Sequence, residues 1–225
     1  MSATELTTVE IEPSRAARAA VIWMHGLGAD GHDFEPIVPY LNVPPELGAR
    51  FVFPNAPVRA VTLNGGARMR AWYDILGLDI PRQEDDGGIR ASEQAIQALI
   101  RREQSRGIAA KSILLAGFSQ GGAMALHTGL RYPERLAGVL ALSCYVPLPA
   151  TVESERHAVN QGMPIFIGHG NQDAIVPLAY GKAGLKLLQG LGYKPEWREY
   201  FMGHEVSMEE IHDIGEWLER ALRAA

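Results

Sequence analysis

The chain has 225 residues, 47% hydrophobic and 21% charged, with 21 basic against 26 acidic side chains and a formal net charge of -5. This is the balance of a globular protein with enough apolar side chain to offset the entropy of ordering, so it excludes a disordered chain. The acidic excess argues against a nucleic-acid binder and against adhesion to an anionic membrane surface. The single cysteine, Cys144, excludes an internal disulfide and a Cys-rich zinc site. Met1–Glu10 shows no basic stretch followed by an apolar one, and no apolar run approaches the ~18 residues that would span a bilayer. The expectation is a cytoplasmic protein built as one domain over residues 1–225.

In chain order, Val9–Ile11 predicts a weak edge strand. Ala19–His25 is an apolar run ending in Gly26-Leu27-Gly28, which predicts a buried strand followed by a tight turn. Arg50–Phe53 predicts a strand stopped by Pro54. About 30 residues without clear periodicity follow, up to Gly88, long for a connection and of the kind that often carries function. Ile89, Ile96, Leu99 and Ile100 share one face of a helix that Gly107 ends, and they read as core. Ser112–Ala116 predicts a strand, Gly121–Arg131 a helix, Gly138–Leu142 and Ile165–Gly168 strands, and Leu178–Leu188 a helix. Glu196–Phe201 predicts a strand and Ser207–Leu222 a last helix, with Trp217 and Leu218 packing on the sheet. Apolar strands alternating with helices predict a mostly parallel sheet covered on both faces, a three-layer α/β/α sandwich. In such sheets ligands bind at the carboxyl ends of the strands, so residues that do chemistry should follow strands. Only about 20 residues separate the strands ending at Leu142 and starting at Ile165, too few for a separate lid domain.

Ser119 lies in Gly117-Phe118-Ser119-Gln120-Gly121, a G-x-S-x-G pattern between a predicted strand and a predicted helix. In that context the serine sits on a sharp turn with its hydroxyl projecting, and the glycines leave room where strand and helix nearly touch. A serine hydroxyl is a poor nucleophile without a base, and the base needs an orienting acid. Asp173 and His204 each follow a predicted strand and come in the order serine, acid, histidine. His204 is therefore the candidate base and Asp173 its partner. His169 is a rival base, but it precedes Asp173 and reads better as a structural histidine hydrogen-bonded in a turn. His157 and His212 read as surface residues, and Asp213, downstream of His204, is out of order. The oxyanion needs two backbone donors. The Gln120 N–H is one candidate, and the Leu27 N–H, in the glycine-rich turn after an earlier strand, is the other.

Together these segments resemble the small carboxylesterases related to acyl-protein thioesterases and lysophospholipases, in the α/β-hydrolase superfamily. The resemblance runs over nearly the whole chain. It is carried by His25–Gly31, Phe53–Pro57, Ala71–Asp74, Gly117–Met124, His169–Pro177 and Gly203–Val206. It implies a Ser119, Asp173, His204 triad with Leu27 and Gln120 donors, no separate lid, no metal and no organic cofactor. It also implies a water-soluble or weakly amphiphilic carboxylic ester as substrate, and a homodimer in some relatives.

An open, lidless site buries few methylenes, each worth about 0.8 kcal/mol. Short to medium acyl chains are therefore expected. The 54–88 segment should rim the site, with Leu63, Met69, Trp72 and Val176 as acyl-pocket candidates. The alternative is that these side chains pack the loop onto the body. Arg68 and Arg70 read as solvated surface charge rather than as a site for an acidic substrate, and Cys144 as a buried small hydrophobe. The same triad serves a thioesterase or lysophospholipase. A hydrolase-fold protein that binds without turnover is the reading from another class, and it usually lacks one triad member.

Overall fold

The computed structural model describes residues 6–77 and 84–225. Seven strands form one sheet: β1 (Thr8–Ile11), β2 (Ala19–Met24), β3 (Ala49–Pro54), β6 (Ile113–Phe118), β7 (Gly138–Leu142), β8 (Ile165–Gly170) and β9 (Glu196–Tyr200). Their order is β1-β3-β2-β6-β7-β8-β9, with β1 antiparallel on the edge and every other pairing parallel. The pairs Met24 with Gly117, Phe118 with Leu142, and Leu142 with Gly168 bring the strand ends into line. Residues that follow these strands therefore meet along one edge of the sheet.

Alternation along each strand sorts the core into two layers. Ile22, Met24, Leu115, Val139 and Ile167 face α1 (Asp86–Ser105) and α2 (Gln120–Arg131). Val21, Trp23, Leu114, Leu140 and Phe166 face α5 (Met208–Arg223), whose Ile211, Ile214, Trp217 and Leu218 are buried there. The expected core positions Ile89, Ile96, Leu99 and Ile100 are all buried, and so is Cys144. The α1 helix begins at Asp86, where the Asp85 side chain accepts the Gly88 N–H (2.9 Å), a side-chain cap at the helix start. The remaining helices are the short α3 (Val152–Glu155) and α4 (Leu178–Gly190). No helix among the described residues is long and apolar enough to cross a membrane.

The 54–88 segment differs from its aperiodic reading. It contains a two-stranded ribbon, β4 (Val58–Val61) and β5 (Ala67–Arg70), turned through Gly65 and Gly66, both at positive φ. The ribbon escapes a periodicity search because most of its side chains are exposed or only half-buried, so no apolar alternation marks it. Residues 78–83 of that segment lie outside the described residues.

Candidate active site

Ser119 follows β6 directly and opens α2, with φ 54° and ψ -119°. An L-residue reaches that conformation only when its surroundings enforce it. Here the enforcement is backbone packing. A Cβ on Gly117 would strike the Gly121 carbonyl, and one on Gly121 would strike the Met24 carbonyl. The Ser119 N–H donates to the Leu142 carbonyl (2.8 Å), which holds the turn to the neighbouring strand end.

The hydroxyl points at a histidine. Ser119 Oγ lies 2.9 Å from His204 Nε2, and His204 Nδ1 lies 2.7 Å from Asp173 Oδ2. A carboxylate oxygen accepts, so Nδ1 carries the imidazole proton and Nε2 presents a lone pair to the serine hydroxyl. The other Asp173 oxygen accepts the Ile175 and Val176 N–H groups (2.9 and 2.8 Å), so the acid is oriented by its own loop. The Phe118 ring lies 4.7 Å from the His204 ring and covers one side of it.

His169 is buried against Trp197, its Nε2 donating to the Val176 carbonyl at 2.8 Å. It stands 3.7 Å from Asp173, beyond hydrogen-bond reach. Burial pushes its pKa below the ordinary histidine value. It props the acid loop and does not touch Ser119, in keeping with its reading as a structural histidine.

Leu27 and Gln120 flank the hydroxyl in the lining of one cavity of about 630 Å³. Neither backbone N–H donates to another group among the described residues, and Gln120 adds the positive end of the α2 dipole. The Leu27 loop is held by a residue the sequence reading passed over. His25 Nδ1 donates to the Gly26 carbonyl (2.6 Å), and Nε2 accepts the Ala56 N–H (3.0 Å). That pairing requires a neutral ring, and burial lowers the His25 pKa accordingly. The Gln120 side chain does a second job. Its Oε1 accepts the Trp72 N–H (2.7 Å) and its Nε2 donates to the Tyr73 carbonyl (2.8 Å), clamping the 71–74 segment beside the nucleophile.

Two pocket candidates, Leu63 and Val176, line the cavity, together with Ile75, Tyr73 and Tyr145. The Tyr73 and Tyr145 hydroxyls meet at 2.7 Å, and burial raises both phenol pKa values. Trp72 and Met69 do not line it. Trp72 is 0% exposed and its indole N–H donates to the His25 carbonyl (3.0 Å), so it packs the segment onto the body. Met69, on β5, takes a hydrogen bond from Asn64 at its sulfur (3.3 Å). The strand-end rule finds Ser119, Asp173 and His204. Nothing in the spacing distinguishes a side chain that rims the cavity from one that dives beneath it.

A mostly parallel sheet between two helical layers, with a serine on a strained strand-to-helix turn facing an acid-held histidine, defines the α/β-hydrolase class. The phospholipase/carboxylesterase family matches residues 6–222, and the chain belongs to that family. It is 36% identical to acyl-protein thioesterase 1 of Yarrowia lipolytica, over 94% of this chain and 96% of that one. It is 34% identical to a probable carboxylesterase of Oryza sativa subsp. japonica, over 92% of this chain and 79% of that one. Among solved structures it is similar to SOBER1 of Arabidopsis thaliana, with TM-score 0.86 and 33% identity over 92% of this chain and 100% of that one. The chain is thus a hydrolase of the carboxylesterase and thioesterase type.

Proposed function

We propose that the chain hydrolyses carboxylic esters through an acyl-enzyme on Ser119. In the first half-reaction His204 Nε2 takes the Ser119 proton as Oγ attacks the carbonyl carbon. The oxygen of the tetrahedral intermediate turns to the Leu27 and Gln120 N–H groups. When the intermediate collapses, the C–O bond to the alcohol breaks and His204 gives its proton to the departing oxygen. In the second, water loses a proton to the same nitrogen, attacks the acyl carbon, and the C–Oγ bond breaks as Ser119 recovers the proton. Asp173 holds the imidazole in one tautomer and stabilises its charged form. The observation that carries this reading is the continuous line from Ser119 through His204 to Asp173, beside two unengaged backbone donors.

Short to medium acyl chains fit the cavity best. The Tyr73 and Tyr145 hydroxyls, bonded to each other, put a polar pair into its lining, which supports the shorter chains. The relatives named acyl-protein thioesterase support a second reading, a thioester substrate attacked by the same serine. Hydrolysis of p-nitrophenyl esters from acetate to palmitate, beside an acyl thioester of matched chain length, tests both. Ester turnover peaking at short or medium chains, lost by roughly 10³-fold or more in Ser119→Ala, is the expected result. Retained activity in Ser119→Ala would remove the nucleophile assignment. A large preference for the thioester, or for palmitate, would put the second reading first.

A further inference from the structure

The two ends of the active-site cavity differ in chemistry. Tyr73 and Tyr145 belong to the core layer beneath α1 and α2. Phe34 and Phe118 belong to the opposite layer, beneath α5. His204 lies on this second side, since Phe118 packs on its ring and α5 follows it in the chain. The alcohol of an ester takes its proton from His204 as it leaves. The leaving group therefore sits toward Phe118, and the acyl chain toward the tyrosines. The cavity wall also carries Asp33, which precedes Phe34 in the chain and so stands beside the Phe34–Phe118 contact.

Among the described residues lining this cavity Asp33 is the one carboxylate, and none is a lysine or arginine. Its carboxylate makes no hydrogen bond or ion pair with a described residue. Asp33 is exposed at the cavity rim, where partial burial and the nearby Asp30 raise its pKa. Its position is nonetheless well held. Gly31 donates to Asn55 Oδ1 (2.9 Å), and a Cβ there would press on the Phe53 carbonyl. The Asp33 N–H donates to the Asp30 carbonyl (3.1 Å). Next in the chain, Phe34 is buried in stacking with Trp23 at 5.2 Å and meets Phe118 at 5.6 Å. An exposed carboxylate on a braced loop, beside the Phe34–Phe118 contact at the rim of a reactive cavity and without a partner among the described residues, is complemented by a cation brought with the substrate.

We propose that Asp33 selects esters whose alcohol portion carries a positive charge, an ammonium or quaternary ammonium group. The inference rests on the ester-hydrolase reading above and names the substrate side that reading leaves open. At the cavity rim solvent screens the interaction, so the selectivity is a modest factor rather than an absolute requirement.

Butyrylcholine and 3,3-dimethylbutyl butyrate test it, because they share the acyl group and the leaving-group shape and differ by one charge. For the wild type, kcat/KM should favour the cationic ester by about three- to tenfold at low salt, the range of one partly screened charge pair. Asp33→Asn should bring the ratio to about one, Asp33→Glu should keep part of it, and 0.5 M sodium chloride should shrink it in the wild type. A structural role for Asp33 would lower both rates together and leave the ratio alone. A wild-type ratio at or below one, or the same ratio in Asp33→Asn, overturns the proposal while the ester-hydrolase reading stands. Absence of turnover with either ester, and with p-nitrophenyl butyrate, overturns both.

Discussion

Replacing Glu210 by glutamine should make the stability of this protein less sensitive to alkali, by an amount that can be worked out. Glu210 lies in the first turn of α5 and is 0% exposed. Neither of its carboxyl oxygens has a hydrogen-bond partner among the described residues. It packs where a side chain on Gly168 would stand, on the strand that leads to His169 and Asp173. Burial, assisted by Asp213, pushes its pKa from 4.5 to about 8. Between those values the unfolded chain carries an ionised Glu210 and the native protein a protonated one. Folding then takes up a proton, and the stability this group contributes falls as pH rises, by about 1.4 kcal/mol per pH unit. From pH 5 to pH 7.5 the loss is on the order of 3 kcal/mol, a large share of the ~5–15 kcal/mol that holds a domain together. Glutamine cannot ionise, and whatever its amide gains or loses in that pocket is independent of pH. Urea unfolding of both proteins at several pH values between 5 and 8 measures the difference directly. The stability of Glu210→Gln relative to wild type should climb by about 3 kcal/mol across that range. Two parallel curves would mean that Glu210 is ionised in the native state, and the account of its burial would be wrong.

Three further outcomes follow from particular contacts. His25, His127 and His169 all have pKa values lowered by burial, so the unfolded chain takes up protons that the native protein refuses. In the Glu210→Gln background, stability should decline as pH falls below about 6.5, each group contributing at most about 1.4 kcal/mol per pH unit; a midpoint unchanged between pH 7.5 and 5.5 would contradict this. Gln120→Ala leaves the buried Trp72 N–H and Tyr73 carbonyl without partners. It should cost about 1–3 kcal/mol for each in urea unfolding and raise KM as Tyr73 shifts; unchanged values for both would remove the clamp. Gly121→Ala drives a methyl group into the Met24 carbonyl, so soluble yield and ester turnover should collapse together; a folded, active variant would show that the turn has slack.

The elements and the catalytic candidates were legible because they depend on local patterns. A fully apolar run such as Ala19–Met24 has to be covered on both faces, and Gly117-Phe118-Ser119-Gln120-Gly121 has its strand and helix next to it in the chain. Boundaries moved by at most two residues, as at β6, which runs to Phe118 rather than stopping at Ala116. The β4–β5 ribbon was hidden because a pattern search reads burial, and that ribbon is mostly outside. Trp72 was left between two readings for a related reason. Its composition suits a pocket wall and a buried prop equally, and only the hydrogen bonds to His25 and Gln120 separate the two.

By itself the sequence determined which residue types were available and in what order. A serine between glycines, an acid and a histidine each follow a strand, and the strand-end rule sends all three to one edge of the sheet. The tertiary structure decided how they meet. Register aligned Met24, Phe118, Leu142 and Gly168, and the acid loop turned the second Asp173 oxygen toward His204. It also brought the Tyr73 and Tyr145 hydroxyls together and set Asp33 into the lining of the same cavity as Ser119. Spacing along a chain carries the period of a helix or strand. The distance between side chains from strands far apart in sequence depends on sheet order and packing, which no local pattern records.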